Sequence, residues 1–246
     1  MSARILFLDI ETAPNIAYVW ALYDQNISTD QIVDAGYILC VSWKWHGEKE
    51  VHYVQVAGDE LSSLSTLHKV MDEADIIVHY NGIKFDIPTL NREFLLQSLT
   101  PPSPSKHIDL LKVVRRQFKF SSNKLDYVCQ QLGLRTKVKH KGMELWTGCM
   151  SNDKASWKIM AEYNKRDVVI LEDLYNAVLP WIPNHPNTSL YTPTKDVCPR
   201  CSSNKYQSRG VMHTLTTSYK RYRCNDCGGW FKGELIKGEK VEYRAC

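Results

Sequence analysis

The stretch Ile5–Thr12, ILFLDIET, puts two carboxylates where the core of a strand belongs. Ile5, Leu6, Phe7, Leu8 and Ile10 suit a buried strand, and Asp9 and Glu11 interrupt them two residues apart. Side chains at i and i+2 of a strand point to the same face. Like charges held that close resist ionising together unless a cation lies between them. The chemistry on offer is the holding of a hard divalent ion by carboxylate oxygens, and further ligands must come from elsewhere in the chain. Two places offer them. Asp86 follows a strand end in NGIKFDIPTL, and Asp167 lies in the helical stretch YNKRDVVILEDLY, with Tyr163 four residues earlier on the same helix face. Taken singly, each is an ordinary solvated Asp or a Tyr at the edge of a core.

A second set is made of thiols. Cys198-Pro-Arg-Cys201 and Cys224-Asn-Asp-Cys227 are separated by 22 residues. Two C-x-x-C turns at that distance read as a four-thiolate zinc site, with disulfides or redox-active thiols as the alternative. A module of fewer than ~60 residues buries too little core to fold alone, so metal would supply the folding energy. Cys40, Cys129 and Cys149 are isolated and read as packing residues, while Cys246 is terminal and unexplained.

The elements that must position these groups follow from periodicity. Tyr37–Trp45 is β-branched and aromatic, and Glu50–Val56 alternates after the His46-Gly47-Glu48 turn, so an antiparallel hairpin follows the Asp9 strand. Leu61–Ala74 has helical spacing, Ile76–Tyr80 is a strand, and Pro88 fits the first turn of a helix running to about Gln97. His107–Leu110 leads into a basic helix ending near Phe120, and Ser122–Leu132 is a capped helix closed by Gly133. RTKVKHKG, with Arg135, Lys137, Lys139 and Lys141, is a basic loop, and Lys154–Pro180 is the longest helical pattern. Asn184–Thr194 carries two prolines and polar residues and marks a boundary. The expected domains are 1–183, a linker at 184–194, and a small β-rich module at 195–246.

Composition narrows the class. An apolar share of 43% supports a real core and excludes wholesale disorder. No apolar run nears the ~20 residues a membrane span needs, and the start is too short for a signal peptide, so the expectation is an intracellular, cytoplasmic protein. The net charge of +4 is uneven: 11 Lys+Arg against 5 Asp+Glu from Leu190 onward give +6, leaving −2 for residues 1–189. A basic tail on a near-neutral body fits either a polyanion partner or a merely solvated surface.

Together the acids form a pattern. Asp-x-Glu at Asp9 and Glu11, Asn-x-x-x-Phe-Asp ending at Asp86, and Tyr-x-x-x-Asp at Tyr163 and Asp167 resemble the DEDD exonuclease superfamily in its tyrosine-bearing branch. NGIKFDIPTL is similar to the proofreading exonuclease domains of family B DNA polymerases, and the resemblance spans about residues 4–182. Glu162 and Tyr163 stand where the histidine-bearing branch would need His.

The resemblance implies an α/β, RNase H-like mixed sheet flanked by helices. It also implies 3′→5′ hydrolysis of nucleic acid to nucleoside monophosphates with two Mg²⁺ or Mn²⁺. Asp9 would bridge both ions, Glu11, Asp86 and Asp167 would complete the sites, and Tyr163 would orient the attacking water. Asn81 would support the substrate strand or the Asp86 loop. DNA is favoured over RNA by the second motif, and a non-catalytic binding protein is the rival class. Lys137 and Lys139 are candidate phosphate contacts or a solvated loop. Asp109 could support the metal ligands from behind, or cap a helix or face solvent, and Trp43, Trp45 and Trp146 are base-stacking candidates or core. The cysteine pairs resemble a zinc ribbon holding one Zn²⁺. Its neighbours Lys195, Arg200, Lys205, Arg209, Lys220, Arg221 and Arg223, interleaved with Tyr206, Tyr219, Tyr222 and Trp230, fit nucleic-acid binding or docking of a replication or repair protein.

Overall fold

The computed structural model describes residues 2–236, so Cys246 lies outside the described residues. The chain divides into two compact units, Arg4–Leu174 and a second that takes in the chain from Tyr175 onward. Among the described residues no helix is long and apolar enough to cross a membrane.

In the first unit β1 (Ile5–Thr12) is followed by β2 (Ile16–Ala17) and β3 (Ile32–Asp34), which pair as a separate ribbon, then β4 (Ile38–Trp45), β5 (His52–Gln55), α1 (Glu60–Asp72) and β6 (Ile76–His79). Next come α2 (Asp86–Leu96), β7 (Lys106–Asp109), α3 (Leu110–Gln117), α4 (Leu125–Gln131), α5 (Met143–Met150) and α6 (Lys154–Val178). The five-stranded sheet has the order β5-β4-β1-β6-β7, antiparallel at β5-β4-β1 and parallel at β1-β6-β7. It is the mixed sheet flanked by helices that the sequence implied.

Alternation along β1 sorts its side chains. Leu6, Leu8 and Ile10 join one buried cluster with Leu64, Leu67 and Met71 of α1 and Leu90 and Phe94 of α2. Asp9 and Glu11 turn to the other face, where Leu145 and Cys149 of α5 pack with Trp157, Met160 and Tyr163 of α6. That second layer is tied to the sheet by a buried ion pair, Lys44 of β4 to Glu172 of α6 at 2.6 Å, and Glu172 also accepts the Gly47 N–H at 2.9 Å.

Some boundaries differ from the sequence reading. The helix expected from Ser122 begins at Leu125: Ser122 Oγ instead accepts the Lys124 N–H at 3.3 Å, which closes a turn rather than capping a helix. Helix α5 had no expectation, and neither had the short β2–β3 pair. Cys40, Cys129 and Cys149 are buried and free.

The second unit holds β8 (Tyr206–His213), β9 (Ser218–Cys224) and β10 (Trp230–Leu235) as an antiparallel sheet in the order β10-β9-β8. The β8–β9 hairpin and β10 make up the small β-rich module that the sequence implied, beside the four cysteines.

Candidate active site and metal centre

The acids converge where parallel pairing ends. β1 and β6 stay paired only from Ile5↔Ile76 to Phe7↔Val78. Beyond Phe7 the two carboxyl ends part, which is where crevices open in sheets of this type. Asp9 and Glu11 stand just past that point. The turn after β6 is built to deliver Asp86. Asn81 adopts φ 69°, its N–H donates to Asp109 Oδ1 at 3.0 Å, and Gly82 N–H donates to His79 Nδ1 at 3.1 Å. Asp109 also accepts the Leu111 N–H at 3.1 Å and so caps α3. The chain then enters α2 at Asp86, whose Oδ1 accepts the Ile10 N–H at 3.3 Å.

Helix α6 brings the rest. Carboxylate oxygens of Asp9, Glu11 and Asp167 all lie within 4.8 Å of one another. Asp86 is outside that trio but locked to the peptide between its two β1 members. Asn164, fully buried, donates from Nδ2 to Asp9 Oδ2 at 2.8 Å and to the Asp9 carbonyl at 3.3 Å. Lys137 reaches in from the basic loop and donates from Nζ to Tyr163 Oη at 3.0 Å and to Asp167 Oδ2. That loop is itself anchored, by the Lys137 N–H on Asp126 (2.9 Å) and by Arg135 on both oxygens of Asp173 (2.6 Å each). The Tyr163 ring lies against His140 and Trp146, at centroid distances of 4.9 and 6.0 Å. The Trp146 side chain is near enough to Glu11 to pull its carboxyl down against the larger effect of burial.

The cluster is short of positive charge. Burial, then Asp167 and Glu11, push Asp9 well above the usual carboxylate range. Burial, then Asp167, raise Glu11 to about 8, and burial raises Asp86 to about 7. Burial also raises Asp167, against the pull of Lys137. Asp167 Oδ1 is buried with no hydrogen-bond partner among the described residues. An orphaned hard oxygen beside two more carboxylates is a donor set suited to Mg²⁺ or Mn²⁺. These residues therefore fit the divalent ions that the sequence implied.

A cleft of about 550 Å³ opens beside Asp9, lined among others by Asn81, Arg115, Asn123, Lys124 and Lys137. Asn81 and Lys137 thus adjoin the acids. Lys139 does not: it is exposed and lines a separate hollow of about 310 Å³ with Lys141 and Asp153. Trp43 and Trp45 are core residues. Asn164 escaped the sequence reading of the site, and Trp146, read as a base-stacking candidate or core, was not expected beside Tyr163. Asn164 carried a signal, a polar residue in helical register with the buried apolar Met160, Val168 and Leu171 of α6. The placement of Trp146 depends on α5, which the sequence did not reveal.

The second candidate metal centre is made of Cys198, Cys201, Cys224 and Cys227, whose sulfurs lie within 4.8 Å of one another. Cys198–Cys227 and Cys201–Cys224 are 3.7 and 3.6 Å apart. A disulfide needs ~2.05 Å, whereas four sulfurs at ~2.3 Å from a tetrahedral zinc stand about 3.8 Å apart. The geometry fits zinc and not a pair of disulfides.

Comparison with known proteins agrees with the first unit. The sequence profile of the RNase H superfamily matches residues 6–179. Among solved structures, the family B DNA polymerase from the hyperthermophilic archaeon Pyrobaculum calidifontis superposes with a TM-score of 0.54 at 18% identity. The match covers 72% of this chain and 25% of that polymerase, so the chain spans a quarter of its relative's length. No curated protein matches the sequence.

Proposed function

The chain belongs to the RNase H superfamily, and from that premise we propose that it is a divalent-metal-dependent 3′→5′ exonuclease acting on nucleic acid, with DNA the favoured substrate. The superfamily and the likeness to a DNA polymerase support a nuclease; direction and substrate are our reading of the site. One observation carries it: the three carboxylates within 4.8 Å, with a buried Asp167 oxygen lacking a partner.

Asp9, Glu11 and Asp167 would hold the metal, with Asp86 completing the set. Bound divalent ions lower the pKa of an attacking water and offset charge on the leaving oxygen. The protein's own groups do the rest. The Tyr163 hydroxyl, fixed by the Lys137 ammonium and the His140 and Trp146 rings, orients the water. Asn164 fixes the Asp9 carboxylate, and the Ile10 N–H fixes Asp86. Arg115, Lys124 and Lys137 give the adjoining cleft the positive lining that phosphates require. Asn81 holds the turn that leads to Asp86. The module at 195–246, joined through 184–194, is in this reading a zinc ribbon holding one Zn²⁺.

The test is a 5′-labelled single strand incubated with Mg²⁺ or Mn²⁺. A ladder shortening from the 3′ end, lost in Asp9→Ala and Asp167→Ala, is expected. No shortening of DNA or RNA, single- or double-stranded, would return the chain to the binding-protein class, and cutting of a closed circle would make it an endonuclease. Metal analysis should give one zinc per chain, lost in Cys198→Ser.

A further inference from the structure

Outside the acidic site, one face of the β8–β9–β10 sheet gathers part of the basic and aromatic set that the sequence left between nucleic-acid binding and protein docking. The register places Gln207, Arg223 and Trp230 side by side, then Arg221 beside Lys232, then Tyr219. Among the described residues, none paired across this face is a carboxylate. Glu234 of β10 instead meets Lys220 at 2.9 Å, and Lys220 alternates to the opposite face. The cations are exposed and ordered against π surfaces. The Arg221 guanidinium lies 5.0 Å from the Trp230 ring centroid and donates from Nε and Nη2 to the Arg209 carbonyl at 3.0 and 2.8 Å. The Lys232 ammonium lies 4.6 Å from the Tyr219 ring, and Trp230 remains 48% exposed.

We propose that this face binds single-stranded nucleic acid, with Arg221, Arg223 and Lys232 on phosphates and Trp230 and Tyr219 on base faces. Same-face rows repeat about every 6.8 Å along a strand, a step that a phosphodiester backbone can follow. An exposed indole and a half-buried phenol beside cations suit a polymer that alternates charge with flat apolar rings. An acidic peptide would use the cations and leave the indole unused. The inference rests on the nuclease reading only for the class of polymer.

The experiment uses the full chain carrying Asp9→Asn and a fluorescein-labelled 20-nucleotide oligo-dT, followed by anisotropy between 50 and 200 mM KCl. Losing three phosphate contacts at ~0.7 counterion each should flatten the log–log salt slope by about 2. In Arg221→Ala/Arg223→Ala/Lys232→Ala we expect that change, with affinity at 50 mM salt reduced at least roughly tenfold. Trp230→Ala should weaken binding about tenfold at an unchanged slope. One zinc per chain verifies each variant's fold, and Arg223→Gln and Lys232→Gln serve if the triple variant loses metal. Unchanged affinity and slope in zinc-bearing variants would overturn the proposal. So would displacement of the oligonucleotide by polyglutamate with Trp230→Ala behaving as wild type, which would assign the face to an acidic protein. Salt-slope changes without any hydrolysis by the parent chain would leave this face standing and remove the nuclease reading; hydrolysis with an unchanged slope would do the reverse.

Discussion

Replacing Asp9 by Asn should stabilise the metal-free protein while abolishing hydrolysis. At 4.8 Å and an effective dielectric of ~20, each pair among the three carboxylates repels by about 3.5 kcal/mol. Asp9 takes part in two such pairs, and the Lys137 ammonium, bonded to Asp167, returns part of that energy. The penalty has a ceiling. Keeping a proton on one carboxyl at pH 7.5 costs about 5 kcal/mol, so repulsion beyond that is relieved by protonation. Removing the Asp9 charge should therefore return roughly 2–5 kcal/mol. Asn keeps a carbonyl oxygen for the Asn164 amide now bonded at 2.8 Å, so little is lost in exchange. The change should raise the melting temperature of the first unit by roughly 5–15 °C. Urea and thermal denaturation followed by circular dichroism at pH 7.5, with Mg²⁺ simply omitted so that zinc stays bound, measure it. Millimolar Mg²⁺ should then stabilise the wild type and leave Asp9→Asn almost unmoved, since the variant has lost a ligand. A variant no more stable than wild type without metal, and equally stabilised by Mg²⁺, would refute the idea that these acids form a cation-deficient cluster.

Stability without divalent metal should also depend on pH in a defined sense. Glu11 and Asp86 are raised to about 8 and about 7 in the folded chain, against ordinary values near 4. Between those limits the folded state keeps protons that the unfolded state has released, so stability falls as pH rises and the loss is complete above about 8. Urea midpoints at pH 5, 6, 7 and 8 test the slope, which Mg²⁺ should flatten because the ligands must ionise to bind it. Asn164→Ala removes the amide that donates to Asp9 Oδ2 at 2.8 Å. A charge-assisted bond is worth about 1.5–3 kcal/mol, so Mn²⁺ affinity, read by electron paramagnetic resonance, should fall at least tenfold. Gly82→Ala would put a Cβ 2.4 Å from Cγ of the buried His79 ring, costing roughly 1–3 kcal/mol of stability by urea denaturation. Activity should drop with it, because the same turn delivers Asp86.

The legible parts of the site were those in which a residue contradicted its surroundings. Asp9 and Glu11 stand out because carboxylates do not otherwise occur within an apolar strand, and the paired C-x-x-C turns stand out by spacing. The sheet was legible because β1, β4 and β6 are dense in branched and aromatic residues. What failed were groups defined only by tertiary placement. Helix α5 starts at Gly142, at φ 62° and with no side-chain cap, so no local signal announced it. Its Trp146 could consequently be read only as a base-stacking candidate or core, and not as the neighbour of Tyr163 that it is. β2 and β3, two and three residues long, are too short for alternation to register. Lys137 and Lys139 look equivalent in sequence, yet Asp126 holds the backbone of one over the acids while the other lines a separate hollow.

The acids of β1 occupy the middle position of the five-stranded sheet, with partners on both sides over Leu6 and Phe7. Backbone amides in such a strand exchange only when the whole unit opens. Turnover and global structure in this unit should thus disappear at the same temperature, while opening of the exposed segment from Tyr18 to Tyr23 should leave catalysis untouched. Enzyme activity would then serve as an internal thermometer for the first unit, silent to loosening of segments that carry no residue of the site.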